Sequence, residues 1–313
     1  MIVWNGMERY PRDAAPVVAS VGNFDGVHLG HQAILASVRA AARRRGLSSL
    51  LVTFDPHPLS VVSPSHRPRL LQTRRQKLDA LEDTGVDGVL ILEFDAEMAA
   101  LGAEEFFRAY LSGRLRASAI HIGESFRFGR GRAGNVDLLC RLGAESGVEI
   151  VGVQQVVAGG EPVSSSAIRQ AVEDGEVERA RRMLGRPFAL TGEVVRGEGR
   201  GRSFDFPTAN LDAENEMIPR RGVYVTESLT LSSRHPSVTN VGMRPTFGGD
   251  RLVVESHLID FDDDLTGARI EVRFLARLRD EKRFSDSVEL ADQIARDRAA
   301  ATVFFAAGGF SAP

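Results

Sequence analysis

The sequence predicts two domains of different fold class, an α/β domain over residues 1–186 and a small all-β domain over residues 187–313. Two observations support this prediction. In the first part of the chain, apolar runs of strand length alternate with helix-period segments, which is typical of a parallel sheet with helices on both faces. In the second part, short strand-like runs separated by Gly, Pro, Asn and Asp predict a small antiparallel β-barrel, followed by a final helix.

Five strands are expected in the first domain, each an apolar run that ends before a loop or a helix. They are Val17–Val21, Leu50–Phe54, Gly88–Phe94, Ala119–Gly123 and Val148–Val156. Helices are expected between them, with their first or last turns marked by capping residues. The first begins between His28 and His31 and ends before Gly46. The next are Lys77–Thr84, Ala103–Leu115 and Val136–Ser146, and two short helices follow between Ser164 and Gly185.

The second domain is expected to contain five strands and one helix. The strands are Phe188–Val195, Gly222–Leu231, Val238–Gly242, Leu252–Asp260 and Arg269–Leu278, and the helix spans Ser287–Phe305. In the first domain, three distinctive loops follow predicted strands, at residues 22–31, 55–58 and 123–134. Because ligands of parallel sheets bind beyond the carboxyl ends of the strands, we expect these loops to form one site.

The loop of residues 22–31, Gly-Asn-Phe-Asp-Gly-Val-His-Leu-Gly-His, leads from a buried strand into a helix. Backbone N–H groups at a helix N-terminus attract phosphate. His28 and His31 can donate hydrogen bonds to phosphate oxygens as negative charge builds up on them in a transition state. Gly30 lies between them and lets a triphosphate approach the backbone. The motif predicts a nucleotide site, whereas an H-x-x-H pair alone is equally compatible with two surface histidines.

Further candidate residues lie in the other loops. Prolines on both sides of His57 restrict its position, although the motif taken alone favours a plain Pro-rich turn. Phe126 and Phe128 could stack on a planar ring, although core packing is the more frequent role of such a pair. The serines at 164–166 can cap a helix, and Arg169 can reach a phosphate at that helix end; simple capping beside a surface arginine is the alternative.

A second candidate site lies in the predicted barrel. The Gly-rich basic loop at residues 195–202 can present backbone N–H groups to phosphates, and a flexible hairpin is the alternative. Thr208 and Asn210 carry hard oxygen ligands that suit Mg²⁺. Glu255 interrupts an apolar strand, either as a positioned base or as a solvated surface group. Strand alternation places it with Val253 and His257, on the face opposite Leu252, Val254 and Leu258.

Composition excludes several classes of protein. The formal net charge of −3 gives no support for nucleic-acid or membrane-surface binding. No apolar run is long enough to span a bilayer and no secretion signal is visible, so we expect a cytoplasmic protein. Cys140 is the only cysteine, which precludes an intrachain disulfide, and its apolar neighbours predict a buried thiol.

Taken in order, the motifs resemble those of the bacterial bifunctional riboflavin kinase/FAD synthetase family. In the first domain they are residues 22–31, 53–58 (Thr-Phe-Asp-Pro-His-Pro), 126–129 (Phe-Arg-Phe-Gly) and 164–169 (Ser-Ser-Ser-Ala-Ile-Arg). In the second they are residues 199–202, 206–211, 222–224, 240–246, Glu255 and 278–279. The resemblance covers nearly the whole chain. It implies a Rossmann-like nucleotidyltransferase domain followed by a Greek-key-like barrel.

The resemblance implies two ATP-dependent reactions: phosphorylation of riboflavin to FMN in the barrel, and adenylylation of FMN to FAD in the first domain. The implied ligands are riboflavin, FMN, FAD, ATP and Mg²⁺. Glu255 is the implied general base of the kinase, and Thr208 and Asn210 are the implied metal ligands. His28, His31 and Arg169 are implied to stabilise the phosphates during adenylyl transfer. The sequence is compatible with oligomerisation and does not determine the oligomeric state.

The resemblance also implies binding residues. The ATP-binding residues are Gly22, Asn23, Phe24, Asp25, Gly30, Ser164, Ser165, Gly197, Gly199, Gly201 and Arg202, and the flavin-binding residues are His57, Pro58, Ser125, Phe126, Phe128 and Arg279. Three residues depart from the usual family pattern, namely Ser125, Asp205 and Thr266. A homologue with one activity lost or shifted to another substrate is therefore an alternative, and a flavin-binding regulatory protein is another.

Overall fold

The computed structural model describes residues 1–196, 208–231, 233–246, 249–282 and 284–308. The chain divides into two compact units, Met1–Ser164 and Ser165–Pro313. The division at Ser164 lies before the two short helices, so these helices belong to the second unit, whereas the sequence assigns them to the first domain. The domain boundary at residue 186 stays a prediction.

The first unit is built on a six-stranded parallel sheet. Its strands are β1 (Ile2–Asn5), β2 (Val17–Val21), β3 (Ser48–Asp55), β4 (Gly88–Glu93), β5 (Ala119–Gly123) and β6 (Glu149–Val153), in the order β1-β4-β3-β2-β5-β6. The parallel sheet is confirmed, but β1 is missing from the prediction. It pairs with β4 from Ile2 to Asn5, and a run of four residues is too short to give a periodic signal. A small hairpin of β7 (Val157–Ala158) and β8 (Glu161–Pro162) follows.

Helices cover both faces of this sheet. They are α1 (Leu29–Arg45), α2 (Pro58–Val62), α3 (Arg74–Asp83), α4 (Ala96–Ala100), α5 (Ala103–Phe106), which continues as a π-helix over Phe107–Arg114, and α6 (Val136–Ser146). Successive strand residues pack on opposite faces. Leu51 packs on the face of the sheet that α1 and α3 cover. Leu50 and Val52 pack on the opposite face, in the core beneath α5 and α6. The expectation of a buried Cys140 is wrong, because this residue lies on the solvent side of α6.

The second unit begins with two helices and continues as a closed antiparallel barrel. The helices are α7 (Ser165–Asp174) and α8 (Val177–Leu184). The strands are β9 (Phe188–Val195), β10 (Ala209–Ala213), β11 (Gly222–Leu229), β12 (Arg234–Thr246), β13 (Gly249–Leu258) and β14 (Arg269–Arg279), in the order β10-β13-β12-β11-β14-β9, and α9 (Ser287–Ala306) follows. The barrel is confirmed with one strand more than predicted. β10 contains Asn210 and Asp212, residue types that are depleted in strands, so it gives no strand signal.

A ring of five hydroxyl groups fills part of the barrel interior. Oxygen–oxygen distances of 2.7 to 3.0 Å join Thr226 to Ser237, Ser237 to Ser228, Ser228 to Ser256, Ser256 to Thr239, and Thr239 back to Thr226. All five residues are fully buried. Buried hydroxyl groups are tolerated because each finds partners within the ring.

Candidate active sites

The turn after β2 places two imidazole rings in a stack at the start of α1. His28 is the N-cap residue, and its Nδ1 accepts a hydrogen bond from the backbone N–H of His31 at 3.3 Å. The rings of His28 and His31 are 3.6 Å apart between centroids, and Phe24 stacks on His31 at 4.4 Å. A Cβ on Gly30 would lie 3.2 Å from the His28 ring, so the missing side chain makes room for this imidazole. The turn therefore holds both histidines at the positive end of the helix dipole.

The same turn carries the predicted ATP-binding residues Gly22, Asn23 and Asp25. A Cβ on Gly22 would lie 2.9 Å from the ring of Phe24, which explains glycine there. Asp25 is buried, and both carboxylate oxygens accept from the N–H of Leu71, at 3.1 and 3.2 Å. Asp25 thus ties the turn to the segment that precedes α3.

His57 contacts the turn through Asn23. Asn23 Nδ2 lies 3.1 Å from His57 Nε2, and His57 Nδ1 accepts from the N–H of Leu59 at 3.2 Å as the cap of α2, with Pro58 next in the chain. The structure therefore brings His57 together with the turn, as expected for loops that follow neighbouring strands β2 and β3.

Two cavities lie beside these residues. The larger, of about 560 Å³, opens where β1, β3 and β4 end, with Pro56, Glu93 and Tyr110 in its wall. The smaller, of about 80 Å³, is lined by Asn23, His57 and other residues of the turn and of α3. Arg74 and Asp55 line both cavities, joined by a salt bridge of 3.3 Å from Nη1 to Oδ2.

The loop after β5 exposes Ser125 and buries one of the two predicted stacking residues. Phe128 belongs to the core of the first unit, whereas Phe126 is half-buried and stacks on Phe128 with a centroid distance of 5.5 Å. Phe106 connects Phe128 to Tyr110 through ring distances of 6.3 and 5.3 Å. An aromatic chain therefore runs from this loop to the wall of the larger cavity.

The serine motif spans the division between the two units. Ser164 ends the first unit, and Ser165 and Arg169 lie in the first two turns of α7, in the second unit. Both Ser165 and Arg169 are half-buried.

In the barrel, β13 places Glu255 between two asparagines. Its register partners are Asn210 on β10 and Asn240 on β12. The row continues from Asn240 to Val223 on β11 and from there to Arg279 on β14. Since directly opposed residues of antiparallel strands share a face, these side chains form one row on the outer face of the barrel.

The predicted face of Glu255 is correct, but two of its neighbours depart from the alternation. Val254 and Leu258 face the interior and are buried as expected. Leu252 is 40% exposed, although the alternation predicts that it is buried, because it lies near the end of the barrel. His257 is only 8% exposed although it faces outward. Its register partner Val238 packs against the apolar cluster beneath α9, which covers the barrel at that level.

Arg279, a predicted flavin-binding residue, is held by α9. Its Nη2 donates to Asp297 Oδ2 at 2.7 Å, and its Nε lies 3.1 Å from both carboxylate oxygens. Asp297 is buried and also accepts from Gln293 at 2.9 Å. The helix therefore fixes the guanidinium group at the end of the Glu255 row. The predicted residues Gly197, Gly199, Gly201 and Arg202 lie outside the described residues.

Sequence reasoning missed two residues at these sites. Lys77 donates from Nζ to the backbone oxygen of Asn23 at 2.6 Å and to Thr53 Oγ1 at 2.8 Å. Burial lowers the pKa of Lys77 to about 8. A lysine on an amphipathic helix gives no signal that distinguishes it from a surface residue. Asn240 could have been found, because it is the first residue of one of the barrel motifs and pairing of two neighbouring predicted strands can place it opposite Glu255.

Known proteins and families match both halves of the chain. A family model described as FAD synthetase matches residues 10–167, and one described as riboflavin kinase matches residues 184–305. A bifunctional riboflavin kinase/FMN adenylyltransferase from Escherichia coli (strain K12) is 42% identical over 289 residues, which cover 92% of each chain. The protein of that name from Pseudomonas fluorescens is 39% identical over 91% of each chain.

A solved structure also resembles the whole chain. A crystal structure described as a macrolide-efflux protein from Streptococcus pneumoniae superposes with a TM-score of 0.87, at 29% identity, over 96% of this chain and 99% of that one. Among the described residues, no helix combines the length and the apolar character needed to cross a bilayer. On sequence and structure together, the chain belongs to the family of bifunctional riboflavin kinase/FMN adenylyltransferases.

Proposed function

We propose that this chain phosphorylates riboflavin to FMN at the Glu255 row and adenylylates FMN to FAD at the turn that carries His28 and His31. The observation that carries the proposal is the strand register that sets Glu255 beside Asn210. A base and a hard oxygen ligand on one face of a barrel suit phosphoryl transfer, which depends mainly on positioning and charge neutralisation.

In the kinase reaction, Glu255 accepts the proton of the ribityl 5′-hydroxyl group of riboflavin. The new bond joins that oxygen to the γ-phosphorus of ATP, and ADP leaves. Asn240, the other register neighbour of Glu255, can donate from its amide to the carboxylate or to a phosphate oxygen. The guanidinium group of Arg279 at the end of the row contributes positive charge.

Thr208 and Asn210 are the residues that would hold Mg²⁺ in the barrel. Their hydroxyl and amide oxygens are hard donors, and Mg²⁺ is commonly held by one or two protein groups together with phosphate oxygens. Asn210 lies on the same outer face as Glu255, and its Nδ2 is 3.5 Å from the backbone oxygen of Thr208, so the two residues are close. Bound Mg²⁺ neutralises charge on the phosphates of ATP.

In the adenylyl transfer, a phosphate oxygen of FMN bonds to the α-phosphorus of ATP, and pyrophosphate leaves. The phosphate is already an anion and needs no base. His28 and His31, at the start of the seventeen-residue helix α1, stabilise the charge on the transferring phosphates together with the helix dipole. Arg169, Ser164 and Ser165 keep the phosphate-binding role that their motif implies.

We assign the flavin ring of FMN to the larger cavity of the first unit. Its volume of about 560 Å³ falls within the usual range for a site of this ligand size. Pro56 lies in its wall, next to the predicted residues His57 and Pro58. Of the two predicted aromatic residues, Phe126 is the one with ring surface left for a ligand, because Phe128 is committed to the core.

Product analysis tests the proposal. The protein is incubated with riboflavin, ATP and Mg²⁺, and riboflavin, FMN and FAD are separated by chromatography over time. We expect FMN first and FAD after it. Glu255→Gln should lower FMN formation by about 10²- to 10⁴-fold, the usual contribution of a general base, and leave FAD formation from added FMN intact. Unchanged FMN formation in this variant would remove Glu255 as the base.

A further inference from the structure

The ammonium group of Lys77 lies at a central point of the adenylyl-transfer turn. It reaches from the second turn of α3 to the backbone oxygen of Asn23, 2.6 Å away, and to Thr53 Oγ1, 2.8 Å away. Thr53 Oγ1 donates to the same backbone oxygen at 3.2 Å. The oxygen of Asn23 is therefore held from two sides, by a charged donor and by a neutral one.

This oxygen belongs to the peptide between Asn23 and Phe24. Phe24 has a φ of 50°, in the left-handed region that costs energy for a residue with a side chain. Both residues contact groups assigned to the reaction, since the Asn23 amide meets His57 and the Phe24 ring stacks on His31. The orientation of this one peptide thus sets two contacts with the site.

The use of lysine here is exceptional in this chain. Of its thirty-nine lysine and arginine residues only two are lysines, Lys77 and Lys282. An ammonium group is a compact charge with three donors, whereas a guanidinium group is a planar fork. The carboxylates of Asp25 and Asp55 attract the Lys77 ammonium group, and the charge of Arg74 on α3 opposes it.

We propose that Lys77 is a positioning residue for adenylyl transfer, whose ammonium group holds the Asn23–Phe24 peptide and thereby the His28–His31 stack and His57. This role rests on the proposed adenylyltransferase function. It requires the charged form, because a charge-assisted hydrogen bond is roughly twice as strong as a neutral one. With a pKa of about 8, Lys77 loses its charge within a range where FMN, whose phosphate has a second pKa of about 6, is already fully ionised.

The test compares Lys77→Met, Lys77→Arg and the control Lys282→Met in FAD formation from added FMN and ATP. Lys282 is the other lysine and pairs with Glu289 in the second unit. We expect Lys77→Met to lower kcat/KM by about a hundredfold, as a misplaced catalytic group does, and Lys282→Met to leave it unchanged. FMN formation from riboflavin should stay within twofold in all three variants. If the wild-type protein makes FMN but no FAD, the result contradicts the proposed adenylyltransferase function. The role of Lys77 is contradicted only by the behaviour of its variants in a protein that makes FAD.

The pH profile separates positioning from a purely structural role. In the wild-type protein, kcat/KM for FMN should fall as pH rises through about 8, because this ratio reports the pKa values of the free enzyme. In Lys77→Arg the charge persists, so the fall near pH 8 should be absent whatever the level of activity. The same alkaline fall in Lys77→Arg, or Lys77→Met activity within twofold of wild type, overturns the proposal.

A direct titration gives a readout independent of activity. Lysine-specific ¹³C labelling of the side-chain Cε yields two signals in this chain, and Lys282→Met assigns them. We expect the Lys77 signal to titrate near pH 8 and to shift when FMN and ATP bind. A Lys77 signal that titrates at the ordinary lysine pKa of about 10.4 and does not shift when FMN and ATP bind contradicts the proposal, because it describes an ammonium group in solvent and not one held by the oxygens of Asn23 and Thr53.

Discussion

His121 shows how a single buried side chain links the first unit to pH. It lies on β5, is 3% exposed, and its Nδ1 is 2.8 Å from Ser37 Oγ on α1. Burial lowers the pKa of His121, and the positive charges of Arg45 and Arg44 lower it further. The imidazole is therefore neutral in the folded protein at neutral pH.

Acidification should destabilise the first unit through His121. The folded-state pKa lies below the unfolded value of about 6.5, so the unfolded chain binds more protons and the free energy of unfolding falls as pH drops below about 6.5. His121→Asn keeps a polar atom near Nδ1 but cannot titrate. We expect the fall in melting temperature between pH 7.5 and 5.5 to be smaller in His121→Asn than in wild type.

Trp4 is the natural probe for this measurement. It is the only tryptophan and packs against the core of the first unit, so its fluorescence reports the unfolding of that unit. The exposed His66 provides the matched control, because His66→Asn should leave the pH dependence as it is in wild type. If the melting temperature falls equally in His121→Asn and in wild type between pH 7.5 and 5.5, groups other than His121 cause the loss of stability.

At the scale of the elements, strand register places Asn240 beside Glu255, in the proposed kinase site. Asn240 is opposite Glu255 across the β12–β13 pair, on the same face. We expect Asn240→Ala to lower FMN formation by about tenfold, corresponding to the loss of a hydrogen bond to a charged group of about 1.5 kcal/mol. FAD formation from added FMN should not change.

The control for Asn240 lies on the same strand. Arg234 is exposed at the start of β12, away from the row, and Arg234→Ala should keep the wild-type rate of FMN formation. An Asn240→Ala variant as active as Arg234→Ala would show that the register position has no role in the reaction. Chromatographic product analysis measures both variants under identical conditions.

Elements could be predicted where the chain repeats an apolar pattern. Strands β2 to β6 were predicted because each is a run of apolar residues in the sequence. The face of Glu255 was predicted because apolar and polar residues alternate along its strand. β1 and β10 could not be predicted, because one is four residues long and the other is polar. Lys77 was missed because its partners Asn23 and Thr53 lie far from it in the sequence, which no local pattern reveals. The signal for Asn240 was present, since this residue begins a barrel motif and lies opposite Glu255.

At the scale of the whole molecule, the two proposed reactions use different groups. No residue of the Glu255 row belongs to the turn of His28 and His31. Glu255→Gln should therefore lose only FMN formation, and His28→Asn only FAD formation. Asparagine is a good N-cap residue, so this variant keeps the cap of α1 and removes the imidazole.

Mixing these two variants should restore the full sequence of reactions. Alone, neither makes FAD from riboflavin; together, FMN released by His28→Asn reaches the intact first unit of Glu255→Gln. FAD in the mixture, absent from each variant alone, is the expected result by chromatography. A mixture that accumulates FMN without FAD would show that FMN must pass within one molecule.

The hydroxyl ring of the barrel has an electrostatic consequence. Geometry makes Thr239 the donor to Ser256. If each hydroxyl donates once, this single direction orders all five protons in one sense around the circle. Bond dipoles arranged head to tail in a closed loop largely cancel, so the ring adds little net field to the apolar interior. Loss of one hydroxyl opens the loop into an arc whose dipoles add, which makes the barrel core polar along one direction.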